Sequence, residues 1–197
     1  SDFINRAPDQ FDDAKYSAEK ERSVGLGVMG FHSYLQKNNI PLESVMSKDW
    51  NKKIFKKIQE GVDQASKDLA EERGACPDAA DYGFKERFSN KTAIAPTASI
   101  SVICGGASPG VEPVAANSYT HKTLSGSFNV RNRYLVKVLE KHEKNTNEVW
   151  SGITNNQGSV SHLDFLSDIE KDVFKTAFEL DQKWIIELSG DRTPFIS

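Results

Sequence analysis

The sequence predicts a helix-rich α/β fold. Long stretches repeat apolar residues every three or four positions, which is the helical period. At Lys91 the character changes to short β-prone runs set among Ser, Thr, Gly and Pro. A hydrophobic fraction of 38% with 10% aromatics is enough to bury a core across 197 residues.

Taken in order, residues 1–16 are polar, carry Pro8 and an acidic cluster, and read as a lead-in loop. Residues 17–90 form a helical part. Val24, Val28, Phe31 and Leu35 share one face of a first helix from Ser17, stopped by Asn38-Asn39 and Pro41. A second helix spans about 48–73, with Ile54, Ile58, Val62, Ala65 and Leu69 on its apolar face. Gly74 stands at its C′ position. Residues 75–90 read as loop.

Residues 91–197 form a strand, loop and helix part. Residues 91–95 are strand-like and end at Pro96, and residues 118–130 are β-prone around a turn at Ser125-Gly126. A short helix follows over about 131–144, then a polar linker. A last helix over 167–188 carries Ile169, Val173, Ala177, Leu180, Trp184 and Leu188. Thr193–Ser197 looks like the start of a strand. Two strand signals against three or four helices make an incomplete sheet, so the chain reads as a fragment.

Composition excludes several function classes. Twenty-five Lys and Arg against 28 Asp and Glu give a net charge of −3, with no basic surplus for a nucleic-acid partner. No apolar run reaches the ~20 residues of a membrane span. The expectation is a soluble, cytoplasmic protein. Cys76, Cys104 and four scattered histidines offer no metal-ligand spacing.

Two motifs carry candidate chemistry. Gly25-Leu-Gly27-Val-Met-Gly30 matches the dinucleotide fingerprint, but Ser-Ala-Glu-Lys-Glu-Arg precedes it where a strand is required. The alternative is a helix whose glycines admit a close neighbour. In Ile94-Ala-Pro-Thr97-Ala98-Ser99-Ile100-Ser101, a short strand meets Pro96 and then hydroxyl residues at a helix start. The first-turn amides there form an anion site, or Thr97 or Ser99 is an ordinary N-cap. Glu112, between Val111 and Pro113, is either a buried functional acid or an exposed structural one. Cys104 and His32 read as packing residues.

These stretches together resemble the large subunit of ribonucleotide reductase. Glu-Arg-Ser-Val-Gly25-Leu-Gly27-Val-Met-Gly30-Phe comes first, then Leu69-Ala-Glu-Glu-Arg-Gly74-Ala-Cys-Pro. Ile94-Ala-Pro-Thr-Ala-Ser-Ile-Ser101 and Gly110-Val-Glu-Pro113 follow. Tyr119-Thr-His-Lys-Thr-Leu-Ser-Gly126-Ser-Phe and Asp191-Arg-Thr-Pro-Phe-Ile196 fit the class I form of phage and eukaryote-like members. All stand in the family's order.

The resemblance implies a fragment of a ten-stranded α/β barrel, one unit over 1–197. It also implies that Thr97, Ala98, Ser99, Ile100 and Ser101 hold the diphosphate of a ribonucleoside diphosphate. The family's Asn-x-Cys-x-Glu radical-cysteine pattern does not occur in this sequence. No catalytic residue is therefore assigned, and the chain is expected to be inactive alone. The family draws its radical from a metal-bearing small subunit and its electrons from a dithiol reductant. The partners implied are the rest of the large subunit, the small subunit and a possible second copy. The alternative is a non-catalytic assembly module that retains the fold segment.

Overall fold

A computed structural model describes residues 6–123 and 126–197. The chain packs as two compact units. One comprises residues up to 27, 51–94 and 190–197, and the other comprises 28–50 and 95–189.

In the first unit, a 3₁₀ turn at Asp9–Phe11 runs into α1, Asp12–Glu21, so the helix expected from Ser17 starts five residues earlier, within the expected loop. Asp12 and Asp13 sit in its first turn, where acidic residues complement the helix dipole. The helix expected to run on through Val28 stops at Arg22. Residues 24–26 instead lie extended beside 90–93. The Val24 amide donates to the Asn90 carbonyl at 3.0 Å and the Leu26 amide to Lys91 at 3.0 Å. The Ala93 amide returns a bond to Leu26 at 3.1 Å, around a parallel bridge between Leu26 and Thr92. The glycines explain this. A Cβ on Gly25 would stand 3.0 Å from the Ala93 Cβ, and one on Gly27 3.0 Å from the Ala93 carbonyl oxygen. They do admit a close neighbour, but on an extended segment rather than a helix.

Later elements follow the second expectation more closely. α2 is Phe31–Lys37 and α3 is Val45–Arg73. Gly74 has φ +82° and its amide donates to Ala70, the C-terminal geometry that glycine serves best. A short α4, Pro77–Asp81, interrupts the expected loop. The C-terminus forms a 3₁₀ turn at Thr193–Phe195 rather than a strand, because Pro194 fixes φ and supplies no amide. Ser197 then bonds Thr92 through its amide at 2.8 Å.

The second unit holds α5, Ala98–Ile103, and an antiparallel ribbon of β1, Ser118–Thr123, and β2, Gly126–Arg131. Ser118 pairs with Arg131 and Thr123 with Gly126. The turn expected at Ser125-Gly126 falls partly outside the described residues. α6, Arg133–Lys141, matches the short helix expected there, with Asn132 accepting the Tyr134 amide at 3.0 Å. The supposed linker is α7, Asn147–Asn155, and it buries Trp150 and Ile153. Those two pack with Leu135, Leu139, Val160, Leu163, Leu166, Val173 and Phe174 into the core of this unit.

The single helix expected over 167–188 is two. α8, Asp168–Val173, starts at a capping box in which Ser167 and Glu170 exchange bonds. α9 is Gln182–Arg192. Between them, Glu179 accepts from both the amide and the hydroxyl of Thr176 at 2.8 Å. Glu43 accepts from the Asp181 amide at 2.6 Å. Side chains that bind backbone amides in this way compete with the helical ladder and break it.

Candidate functional site

The site is built on the turn that joins residue 94 to α5. Thr97 occupies the N-cap position with φ +52°, a left-handed conformation that a β-branched residue seldom adopts. Its hydroxyl does not cap α5. It accepts from the Gly110 amide at 2.7 Å. The first intrahelical bond runs from the Ser101 amide to the Thr97 carbonyl at 2.9 Å. The amides of Ala98, Ser99 and Ile100 therefore belong to the first turn, which the helical ladder leaves without partners.

The five residues singled out in the sequence thus divide. Ala98, Ser99 and Ile100 are exposed, Thr97 is half-buried and Ser101 is buried. The Ser101 hydroxyl turns back to donate to the Ala98 carbonyl at 2.8 Å. Ser99 is left as the accessible hydroxyl of the turn.

Residues 105–114 fold back against this turn. Gly105 and Gly106 take positive φ, and the Gly106 and Ala107 amides donate to the Ser101 carbonyl at 3.0 and 3.2 Å. Gly110 also has positive φ, and a Cβ there would stand 2.7 Å from the Ala95 carbonyl oxygen. The same loop caps α2. The Gly30 amide donates to the Ser108 carbonyl, the Phe31 amide to Gly110, and the Ser33 amide to the Ser108 hydroxyl at 3.1 Å. The start of α2, the place where a dinucleotide fingerprint would present its amides to pyrophosphate, is thus occupied by protein. The dinucleotide alternative fails on that geometry.

Beside the turn lies a cavity of about 180 Å³ whose lining includes Ala98, Ser101, Tyr119, Arg131 and Asn132. Arg131 was not singled out in the sequence, because β2 brings it to the turn from thirty residues away. Its Nη2 donates to Asn147 at 3.1 Å and its guanidinium lies 5.1 Å from the centre of the Trp150 ring. No local motif marks such a residue. Arg133 also approaches, with guanidinium atoms 3.5 Å from where a Gly105 Cβ would be.

The other candidates resolve simply. Glu112 is exposed. Cys76 is buried and Cys104 exposed, the latter against the expectation of a packed thiol. His32 is fully buried, and its Nδ1 accepts the Val114 amide at 3.0 Å. Burial holds its pKa at about 4, and the Val173 carbonyl opposes that only in part. Among the described residues no cluster of three or more His, Cys, Asp or Glu could hold a metal ion. Among the described residues no helix is long and apolar enough to cross a membrane.

Comparison with known proteins places these features in a family. The family model described as "Ribonucleotide reductase, barrel domain" matches residues 2–86 and 79–197. The chain is 48% identical over 198 residues to the ribonucleoside-diphosphate reductase large subunit of Invertebrate iridescent virus 6, covering 98% of this chain and 20% of that protein. It is 43% identical to the large subunit of Invertebrate iridescent virus 3, covering 98% of this chain and 31% of that one. Among solved structures, the class Id ribonucleotide reductase alpha subunit of Actinobacillus ureae superposes with a TM-score of 0.90 at 38% identity. That match covers 99% of this chain and 36% of the alpha subunit. The chain therefore spans between 20% and 36% of the length of these relatives. Its match to the family model runs almost end to end, and the chain belongs to the ribonucleotide reductase barrel-domain family.

Proposed function

We propose that this chain is part of a ribonucleoside-diphosphate reductase large subunit and supplies the turn that binds the substrate diphosphate. Thr97, Ala98, Ser99, Ile100 and Ser101 form that turn. The observation that carries this reading is the first turn of α5, where three successive residues are exposed and their amides precede the first intrahelical bond. Amides at a helix start favour anions, and charge-assisted bonds to phosphate oxygens need no lysine. The backbone of Ala98 and Ile100 does the binding, so their apolar side chains are no obstacle. Ser101 contributes by holding the turn, since its own hydroxyl is committed to Ala98.

The chemistry belongs to the assembled enzyme. The small subunit supplies the radical and a dithiol supplies the electrons. The remainder of the large subunit supplies the radical cysteine, because neither Cys76 nor Cys104 stands in the Asn-x-Cys-x-Glu pattern. The role of this chain's own residues is to bind and orient the diphosphate. The site of action is the cytoplasm, that of the host for a virus-encoded chain.

Ser99→Asp tests the assignment, because it sets a carboxylate where the substrate's negative charge would sit. In the assembled reductase it should raise KM for nucleoside diphosphates tenfold or more, the loss expected when a charge-assisted phosphate contact is replaced by repulsion. An unchanged KM would refute the turn as the diphosphate site.

A further inference from the structure

We infer that the polar cavity between the β1–β2 ribbon and α7 is a second binding site, built for a small phosphate ester that carries free hydroxyls. The site does not depend on the diphosphate reading, because the ribbon stands between the two. Side chains alternate from face to face along a strand. Ser118 pairs with Arg131 and Thr120 with Asn129, and these four line a cavity of about 270 Å³ whose other wall is α7. Tyr119 pairs with Val130, and those two line the separate cavity beside α5. Arg131 borders both cavities, but its guanidinium is held on the α7 side by Asn147 and Trp150.

The charge of the cavity selects an anion. No carboxylate lines it, and among the described residues none forms an ion pair with Arg131. A guanidinium carries five N–H donors in one plane, and Arg131 commits one of them to Asn147 at 3.1 Å. The others match the paired oxygens of a phosphate. Contact with the Trp150 ring, 5.1 Å from its centre, orients the group in advance, so binding orders little that was free. The Ser151 hydroxyl, exposed on the same side of the cavity, adds a second donor.

The remaining hydroxyls select what the phosphate is attached to. The Thr154 hydroxyl donates its only hydrogen to the Trp150 carbonyl at 2.9 Å. The Ser118 hydroxyl, 2.8 Å from it, must therefore donate to Thr154. Thr120 donates to the Asn129 Oδ1 at 3.2 Å. All three oxygens have spent their hydrogens and keep lone pairs. They can accept from the hydroxyls of a ligand but offer nothing to phosphate oxygens. Trp150 is buried with its indole N–H committed to Asn145 at 2.7 Å, so its ring supplies an apolar surface for a sugar's carbons. The volume falls short of the ~300–1,000 Å³ of sites for drug-sized ligands, which suits a sugar phosphate rather than a dinucleotide.

The experiment titrates the 197-residue chain calorimetrically with ribose 5-phosphate, ribose and inorganic phosphate. Ribose 5-phosphate should bind about tenfold more tightly than inorganic phosphate, and ribose should release no heat. Arg131→Gln keeps an amide and removes the charge, and should weaken ribose 5-phosphate binding about tenfold or more. Ser151→Ala should weaken it about threefold. Alanine is the better helix former, so that loss cannot come from unfolding of α7. Ser99→Asp, on α5, should leave this affinity unchanged. No heat with ribose 5-phosphate, or wild-type affinity in Arg131→Gln or Ser151→Ala, would overturn the inference. Inorganic phosphate or ribose binding as tightly as the sugar phosphate would overturn it as well. Binding lost in Ser99→Asp would place the phosphate on the turn of α5, overturning this site while leaving the diphosphate reading intact.

Discussion

At the residue scale, His32 shows how burial turns one side chain into a pH-dependent stabiliser. Its imidazole is fully buried and neutral, with Nδ1 accepting from Val114 and Nε2 without a hydrogen-bond partner among the described residues. The folded pKa of about 4 lies below the ordinary value of 6.5. The unfolded chain therefore takes up a proton first as the pH falls. Stability from this residue is complete above pH 6.5 and is lost progressively between 6.5 and 4, by roughly 3 kcal/mol in all. Urea unfolding across that range should show the wild type losing this amount relative to His32→Asn, which keeps an acceptor near Val114 but does not titrate. Parallel curves for the two proteins would contradict the assignment. His32 was legible in the sequence as a packing residue, but its acceptor role was not, because Val114 lies 82 positions away.

At the scale of elements, glycines of opposite function give opposed predictions. Gly61 lies within α3 with open space around its Cβ position. Gly61→Ala should stabilise the chain by about 1 kcal/mol through helix propensity alone. Gly27→Ala should destabilise it by about 1–3 kcal/mol, because its Cβ would press on the Ala93 carbonyl and part the Leu26–Thr92 bridge. Thermal unfolding of the two variants checks both signs.

The same contrast explains which elements the sequence revealed. α3 was readable because 29 residues of unbroken amphipathic repeat leave no competing period. The repeat through Val24 and Val28 misled, because three glycines in that window weaken a helix and extended pairing with residues 90–93 wins. α7 was missed because its polar composition outweighed Val149, Trp150 and Ile153, the residues that bury its inner side. The break between α8 and α9 depends on Glu43, more than 130 residues from the Asp181 amide it accepts, which no local window contains. The helix start at Thr97 was legible for the opposite reason, since Pro96 and the hydroxyl residues of that start are contiguous.

At the scale of the whole molecule, the family relationship and the exposed surface point the same way. Several large apolar side chains stand in solvent, with Ile103 84%, Phe178 83%, Val45 79% and Ile186 72% exposed. The relatives carry between two and four times as much additional chain as the region matched here. Such side chains mark contact with protein where they form a contiguous patch; the prediction is that the isolated chain self-associates through them. Sedimentation velocity should give a sedimentation coefficient that rises with concentration. A concentration-independent monomer would show that these side chains are tolerated in water.

The most direct test of the central claim is calorimetric titration of the chain with a nucleoside diphosphate beside the corresponding bare nucleoside. On the proposed reading the turn at 97–101 recognises the diphosphate through amides and a hydroxyl, so heat should be released by the diphosphate and not by the nucleoside. Equal binding of the two, or binding of neither, would contradict the account of a diphosphate turn already formed within these residues.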